Sequence, residues 1–386
     1  MSSLPPPGTD ALAHSARLAE TIRAEIENAG GWIPFARYME LALYAPGLGY
    51  YSSGSAKFGD HDKGGDFVTA PEISPLFSRC LARQAAQVLT ATQGDVLELG
   101  AGSGKLALGM LRELERVERL PQRYGILEVS ADLRERQREL LERYAPHLID
   151  RVSWLDAMPA KFSGLILGNE VLDALPVHLV AWREDGIHER GVALKAGHFV
   201  WQERRLQIGA LLDTARSLDL PPGYVSEINL AAHRLTAALA DALEHGVLLW
   251  IDYGFGRNEY YHPQRSRGTL MCHYRHRAHD DPFHLPGLQD ITSHVDFSAV
   301  TETGIEHGLR LAGYTTQASF LINCGITELL AKTSPDDIAA YLPQTAQAQK
   351  LLSPAEMGEL FKVLALGKNM TAPLLGFASG DKSRLL

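Results

Sequence analysis

From Gly94 onward the chain alternates short apolar runs with amphipathic stretches. Asp95-Val96-Leu97-Glu98-Leu99 and Tyr124 to Val129 predict two strands, and Arg151 to Leu155 and Gly164 to Gly168 predict two more. Lys105 to Arg119 and Asp132 to Tyr144 carry helical spacing between them. This rhythm predicts an α/β fold with a parallel, doubly wound sheet and ligands at the carboxyl ends of its strands. His178 to Arg205 then alternates apolar and polar residues with glycine punctuation, which predicts antiparallel hairpins. Ala231 to His245 predicts a helix, and Val247-Leu248-Leu249-Trp250-Ile251 a buried strand that resumes the sheet. Ser298 to Ala312 predicts a helix, Thr315 to Ile322 a strand, Gly325 to Lys332 a helix, and the remainder a mainly helical, loose tail.

Upstream, Leu12, Leu18, Ile22 and Ile26 predict a helix over Ala11 to Ala29, followed by a second over Pro34 to Tyr44. Leu48 to Phe77 is glycine-dense and polar at its centre. A loop this long inside a compact protein is functional or mobile. Its end, Gly64 to Ser74, is expected to act as a lid, with Asp66, Thr69 and Glu72 approaching a ligand while Phe67 and Pro71 exclude water. A helix entry at Thr69, with Glu72 three positions on, is the plainer alternative.

With 386 residues, 45% of them hydrophobic and 22% charged, the chain can bury a sizeable core. The net charge of −9 gives no electrostatic footprint for duplex nucleic acid. Cys80, Cys272 and Cys324 form no CxxC pair, and no apolar stretch approaches the ~20 residues that span a bilayer. The N-terminus lacks the features of a signal or mitochondrial presequence, so a cytoplasmic location is expected.

The strongest local signal is Glu98-Leu99-Gly100-Ala101-Gly102-Ser103-Gly104, at a strand end that opens a helix. A phosphate-binding P-loop would need glycine at position 99 and Ser or Thr at 106, where leucines stand. A dinucleotide fingerprint would need glycine at 105, which is Lys105. The pattern instead resembles the first motif of class I S-adenosylmethionine-dependent methyltransferases. There, backbone N–H groups around Gly100, Ala101 and Gly102 would meet an amino-acid carboxylate. Glu128, ending the next strand, can accept both hydroxyls of a ribose. Asp156-Ala157 follows the third strand, where such folds place adenine. Asn169-Glu170-Val171-Leu172-Asp173-Ala174-Leu175-Pro176 follows the fourth, where cofactor and substrate meet.

Larger blocks carry a more specific resemblance. YMELALYAPGLGYY (38–51), GGDFVTAPEISPLF (64–77), NEVLDALP (169–176), IDYG (251–254) and PGLQDITSHVDF (286–297) are similar to those of the MidA-like methyltransferases, a family that includes a mitochondrial complex I assembly factor. The resemblance spans roughly residues 33–332. It implies a Rossmann-like class I methyltransferase sheet with a helical N-terminal extension and an inserted substrate-binding region, and S-adenosylmethionine as cofactor. The expected organisation is an extension and lid over 1–90, core over 91–182, an insertion for substrate or partner over 183–245, core again over 246–332, and a helical tail over 333–386. Mitochondrial members of the family methylate an arginine on a complex I subunit, so a protein arginine is the expected acceptor. Methylation of a small molecule or another side chain is an alternative, as is an assembly factor holding the cofactor structurally.

A guanidinium enters its site cationic, so carboxylates must hold it and favour loss of a proton. Glu170 is the first candidate, Asp173 can share its helical face, and Glu227 is a further partner from the insertion. Asp252, Tyr253, His294 and Asp296 are expected to line the acceptor pocket. Thr69, Glu72, Glu98 and Asn169 join the expected cofactor contacts. Cys272, His273, His276, His279 and His284 crowd into thirteen residues, yet they lack metal-ligand spacing, and no metal is expected.

Overall fold

The computed structural model describes residues 4–53 and 69–386, which form two compact units. One comprises residues 4–53, Asp173–Arg234 and Asn258–Val295; the other comprises 69–172, Leu235–Arg257 and Asp296–Leu386.

The second unit is built on a mixed α/β sheet. Its strands in chain order are β1 (Asp95–Leu99), β2 (Tyr124–Leu127), β3 (Val152–Leu155), β4 (Phe162–Asn169), β5 (Leu243–Phe255), β6 (Arg310–Thr316) and β7 (Phe361–Lys368). They stand side by side as β3-β2-β1-β4-β5-β7-β6. The five from β3 to β5 are parallel, while β7 runs antiparallel to both β5 and β6. Burial on both faces explains why Val247–Ile251 is an uninterrupted apolar run rather than an alternating one. Leu165, Leu167, Val247, Leu249, Val363 and Ala365 meet the helices Pro75–Thr92 and Lys105–Arg116 in one core. Those helices approach closely because Gly109 has no side chain; a Cβ there would lie 2.5 Å from that of Ser78.

The first unit is mostly antiparallel. Strands Trp32–Pro34, Gly186–Lys195, His178–Arg183 and Val225–Ile228 follow one another in a sheet, and His198–Arg205 adds to Gly186–Lys195. Helices Thr9–Asn28 and Phe35–Tyr44 supply Leu18, Ile22, Ile26, Tyr38 and Met39 to its core. A small sheet joins Met271–Tyr274 to Arg277–His279 and Asp290–Thr292. Among the described residues no helix is long and apolar enough to cross a membrane.

Three expectations about the last third of the chain are corrected. The helix expected to reach Ala312 ends at Glu306, because Gly308 turns the backbone at φ +80° and Leu309 N–H closes on the Gly304 carbonyl. The strand placed over Thr315 to Ile322 comes earlier, at Arg310–Thr316; Thr316 then caps a helix, Gln317–Asn323, by accepting the Ser319 N–H. The tail is not merely helical: after the helix Ile338–Leu352, the run Phe361–Lys368 inserts between β5 and β6. A continuously apolar run carries no periodicity that separates a buried strand from a buried helix.

At the amino ends of β1, β4 and β5 the backbones meet where side chains would not fit. Gly164 has φ +130°, and a Cβ on it would stand 2.0 Å from the Asp95 carbonyl oxygen. Gly164→Ala is expected to destabilise the protein by roughly 3 kcal/mol, through backbone displacement and strain. The measure is the urea midpoint at unchanged slope; an unshifted midpoint contradicts the close approach.

Candidate active site

The turn leaving β1 is a series of left-handed bends: φ is +61° at Gly100, +53° at Gly102 and +80° at Gly104. Only glycine adopts these without strain. Space matters too, since a Cβ on Gly104 would press on Gln137 at 3.1 Å and one on Gly100 would lie 3.3 Å from Val171. Gly104 starts the helix Lys105–Arg116, so the first turn's N–H groups point toward the bend.

Two carboxylates act on this turn from outside it. Glu128 accepts N–H bonds from Gly102 (3.4 Å), Ser130 (3.0 Å) and the Gln137 amide (3.3 Å). Its burial raises its pKa, and those N–H groups oppose the rise. Glu72 accepts from the Ser103 hydroxyl and the Lys105 ammonium. Thr69 stands at the N-cap of Ala70–Ile73, where its carbonyl, not its side chain, takes the N–H groups of Glu72 and Ile73. Asp66 and Phe67, also expected in the lid, lie outside the described residues.

Glu98 is turned into the sheet. Only 2% exposed, it accepts the Tyr124 hydroxyl at 2.6 Å, and burial pushes its pKa up to about 7 against that hydrogen bond. Asp156 and Ala157 are exposed. The Arg134 guanidinium binds Asp156 (2.6 Å), the Leu155 carbonyl (2.7 Å) and the Glu128 carbonyl (2.6 Å), so one side chain joins the loops after β2 and β3. The sequence reading passed over Val129. Next to Glu128 it is 78% exposed, an apolar side chain left in water at the carboxyl end of a parallel strand.

After β4 the chain bends sharply. Glu170 takes φ +54°, unusual for a side-chain-bearing residue, and its N–H donates to the Ile251 carbonyl at 2.9 Å. The Asn169 amide donates to the Glu170 carboxylate at 3.1 Å. Asp252, 1% exposed, accepts the N–H groups of Leu172 and Tyr253, each at 2.9 Å, and so ties the end of β5 to this bend. Tyr253 packs edge-on against Phe361. Asp296 caps the helix Phe297–Glu306 through the Ala299 N–H; burial pushes its pKa up to about 6, with Arg257 opposing.

The remaining residues singled out in the sequence belong to the other unit. Asp173 is buried, and its carbonyl accepts the Ser293 N–H. The His294 N–H donates to the Thr269 hydroxyl. Glu227, also buried, accepts from Thr269 N–H (3.0 Å), Leu270 N–H (3.0 Å) and the Tyr260 hydroxyl (3.2 Å). Gly268 allows this, since a Cβ there would collide with Glu227. Among the described residues no group of three or more His, Cys, Asp or Glu could hold a metal ion.

The second unit therefore presents, at strand ends, a glycine bend at a helix N-terminus, the buried acid Glu128 and the exposed apolar side chain of Val129. The Asn169 side-chain amide oxygen (Oδ1) is buried and meets no hydrogen-bond partner among the described residues, so an acceptor stands ready for a ligand. These groups fit an adenosyl amino acid. A model of the S-adenosyl-L-methionine-dependent methyltransferase family matches residues 80–315. The chain belongs to that family.

A Burkholderia thailandensis protein crystallised with S-adenosyl-homocysteine is 53% identical, with full coverage of both chains and a TM-score of 0.96. A native crystal structure from the same organism is 52% identical, with a TM-score of 0.93. Among curated relatives, the mitochondrial protein arginine methyltransferase NDUFAF7 homolog of Drosophila melanogaster is 28% identical over 94% of this chain and 88% of its own. That of Danio rerio is 29% identical over 88% and 84%. This methyltransferase thus uses S-adenosyl-L-methionine. The expected cytoplasmic location is overturned, because these relatives, and the human one, are mitochondrial by name.

Because Glu98 is protonated more readily folded than unfolded, its contribution to stability is complete below pH ~4.5 and is lost as pH rises through about 7. Between those values this methyltransferase is expected to lose on the order of 3 kcal/mol, and Glu98→Gln to flatten the decline. Thermal melts of both proteins across that range decide it; parallel profiles refute the assignment.

Proposed function

We propose that the chain methylates an arginine side chain of a protein, on a Rossmann-like class I methyltransferase sheet. The order β3-β2-β1-β4-β5-β7-β6, with its glycine bend after the central β1, supports the sheet assignment. The names of the curated relatives support arginine as acceptor.

In this reading the N–H groups of residues 100–104 receive the cofactor's carboxylate. Glu72, bound to Ser103 and Lys105 at the same bend, supplies negative charge suited to its ammonium. Glu128 takes the ribose hydroxyls, while Val129, Asp156 and Ala157 border the adenine. Bound S-adenosyl-L-methionine supplies an electrophilic methyl on sulfur, so the protein's work is to orient the nucleophile, exclude water and move a proton.

The observation that carries the catalytic assignment is the bend at Asn169-Glu170. A carboxylate held at a strained φ by the Ile251 carbonyl and the Asn169 amide is poised rather than free to swing. Beside a guanidinium it holds the cation, directs a nitrogen lone pair, and accepts the proton released on methylation. Asp252 maintains the bend by its bond to Leu172. Glu227 faces a dense set of N–H and O–H donors, and its first task is to fix the turn at residues 268–270. The resemblance to complex I assembly factors makes a respiratory-complex subunit the first protein to test.

Glu170→Ala is expected to keep S-adenosyl-homocysteine affinity within about threefold, while methyl transfer falls by roughly a hundredfold or more. Calorimetry and incubation with radiolabelled cofactor in a lysate lacking this protein separate the two. Methylarginine in a labelled protein supports the proposal; label confined to small metabolites removes it.

A further inference from the structure

The helix Ala131–Tyr144 buries three residues, Leu133, Gln137 and Leu141, one above another at four-residue spacing. The middle position of such a stripe ordinarily holds another aliphatic side chain. Here an amide is buried with no exposure at all, which is unfavourable unless each of its groups is bonded. They are bonded, and the bonds run between the parts of the cofactor crevice. The Gln137 nitrogen donates to the Gly102 carbonyl (2.9 Å) and to the Glu128 carboxylate (3.3 Å), and its oxygen accepts the Trp154 indole N–H (2.8 Å).

The partners also fix which way the amide faces. An indole nitrogen only donates and a backbone carbonyl only accepts, so the reversed amide would lose both bonds. Arg138 stacks on the Trp154 ring at 4.8 Å and steadies the indole. Glu128 therefore always faces an N–H, never an oxygen.

We propose that Gln137 is the positioning residue for cofactor binding, holding the Glu128 carboxylate and the Gly102 peptide in the one relative orientation that accepts a vicinal diol. This rests on the assignment of Glu128 to the ribose hydroxyls. Gln137 itself touches no reacting atom. Its effect passes through Glu128 and the Gly102 peptide, so it acts on cofactor recognition, most strongly at the sugar, rather than on the methyl-transfer step.

The experiment is calorimetry of the full chain with S-adenosyl-homocysteine and with its 2′,3′-dideoxy analogue. Gln137→Leu is expected to weaken S-adenosyl-homocysteine about tenfold, the worth of one hydrogen bond to a charged group, and to weaken the dideoxy analogue clearly less, by no more than about threefold through the Gly102 bond. Gln137→Glu places a second carboxyl against Glu128. Near pH 8 it should bind about tenfold more weakly than the parent. Near pH 6, where a shared proton restores a donor toward Glu128, the gap should close to about threefold.

A merely packed residue would not produce that pH signature or that selectivity for the hydroxylated ligand. Equal loss for both ligands, or parental affinity in both variants, overturns the proposal. If Gln137→Leu fails to fold, the pH comparison of Gln137→Glu alone decides. Glu128→Ala separates the two layers: undiminished preference for the diol in that variant refutes the Glu128 assignment, whereas its loss beside unaltered Gln137 variants refutes the role of Gln137 only.

Discussion

The crevice at the strand ends of the second unit is organised around the Glu128 carboxylate, which receives the N–H groups of Gly102, Ser130 and the Gln137 amide. Parallel strands end in backbone polar groups that no further ladder satisfies, so the loops beyond them must find other partners. Here the loop after β1 finds them in the loop after β2. Gly100 N–H closes on the Leu127 carbonyl, and Gly102 N–H closes on the side chain one residue farther along. The bend is then a defined concavity of N–H groups with a carboxylate on its rim. A flexible glycine loop would have to lose conformational entropy on binding; this one has lost most of it on folding.

Three side chains extend the same arrangement across neighbouring strand ends. Glu72 draws Ser103 and Lys105 together on one flank of the bend. Arg134 and Gln137, one helical turn apart, secure the other flank by reaching the loops after β2 and β3 and the indole of Trp154. Cation and amide thus divide the work: the half-buried guanidinium binds carbonyls and Asp156, and the buried amide meets the Glu128 carboxylate. A lysine at 134 could not span three acceptors with a planar fork.

Much of this was legible in the sequence because glycine placement and strand-helix alternation are local signals. Gly100, Gly102 and Gly104 announced a bend that only they can make, and Glu128 stood where a strand of ordinary length must end. Glu72 was legible as a lid residue approaching the cofactor or as part of a helix entry; that it binds Ser103 and Lys105 depends on the fold. Gln137 was invisible, since one amide in the arginine- and glutamate-rich helix Ala131–Tyr144 looks like surface until burial is known. Val129 was invisible for the opposite reason: an apolar residue ending a strand reads as core, and only its exposure marks it. The last strand, Phe361–Lys368, was missed because burial on both faces erases the alternation by which strands are recognised.

The bend at Asn169-Glu170 shows how a strained backbone can persist in such a framework. A left-handed φ at glutamate costs about 1–2 kcal/mol relative to a helical or extended one, and the Asn169 amide on the Glu170 carboxylate is its nearest local support. Further compensation comes from β5. The Ile251 carbonyl receives the Glu170 N–H, and the Asp252 carboxylate receives the Leu172 N–H two residues later. Relaxing Glu170 would forfeit both bonds and leave the buried Asp252 oxygen without that donor, a larger penalty than the strain itself. The adjacent central strands therefore impose the geometry of the loop that carries the proposed catalytic carboxylate. Asp252, which the sequence offered equally as a pocket residue and as a structural cap, binds the backbone N–H groups of Leu172 and Tyr253 here.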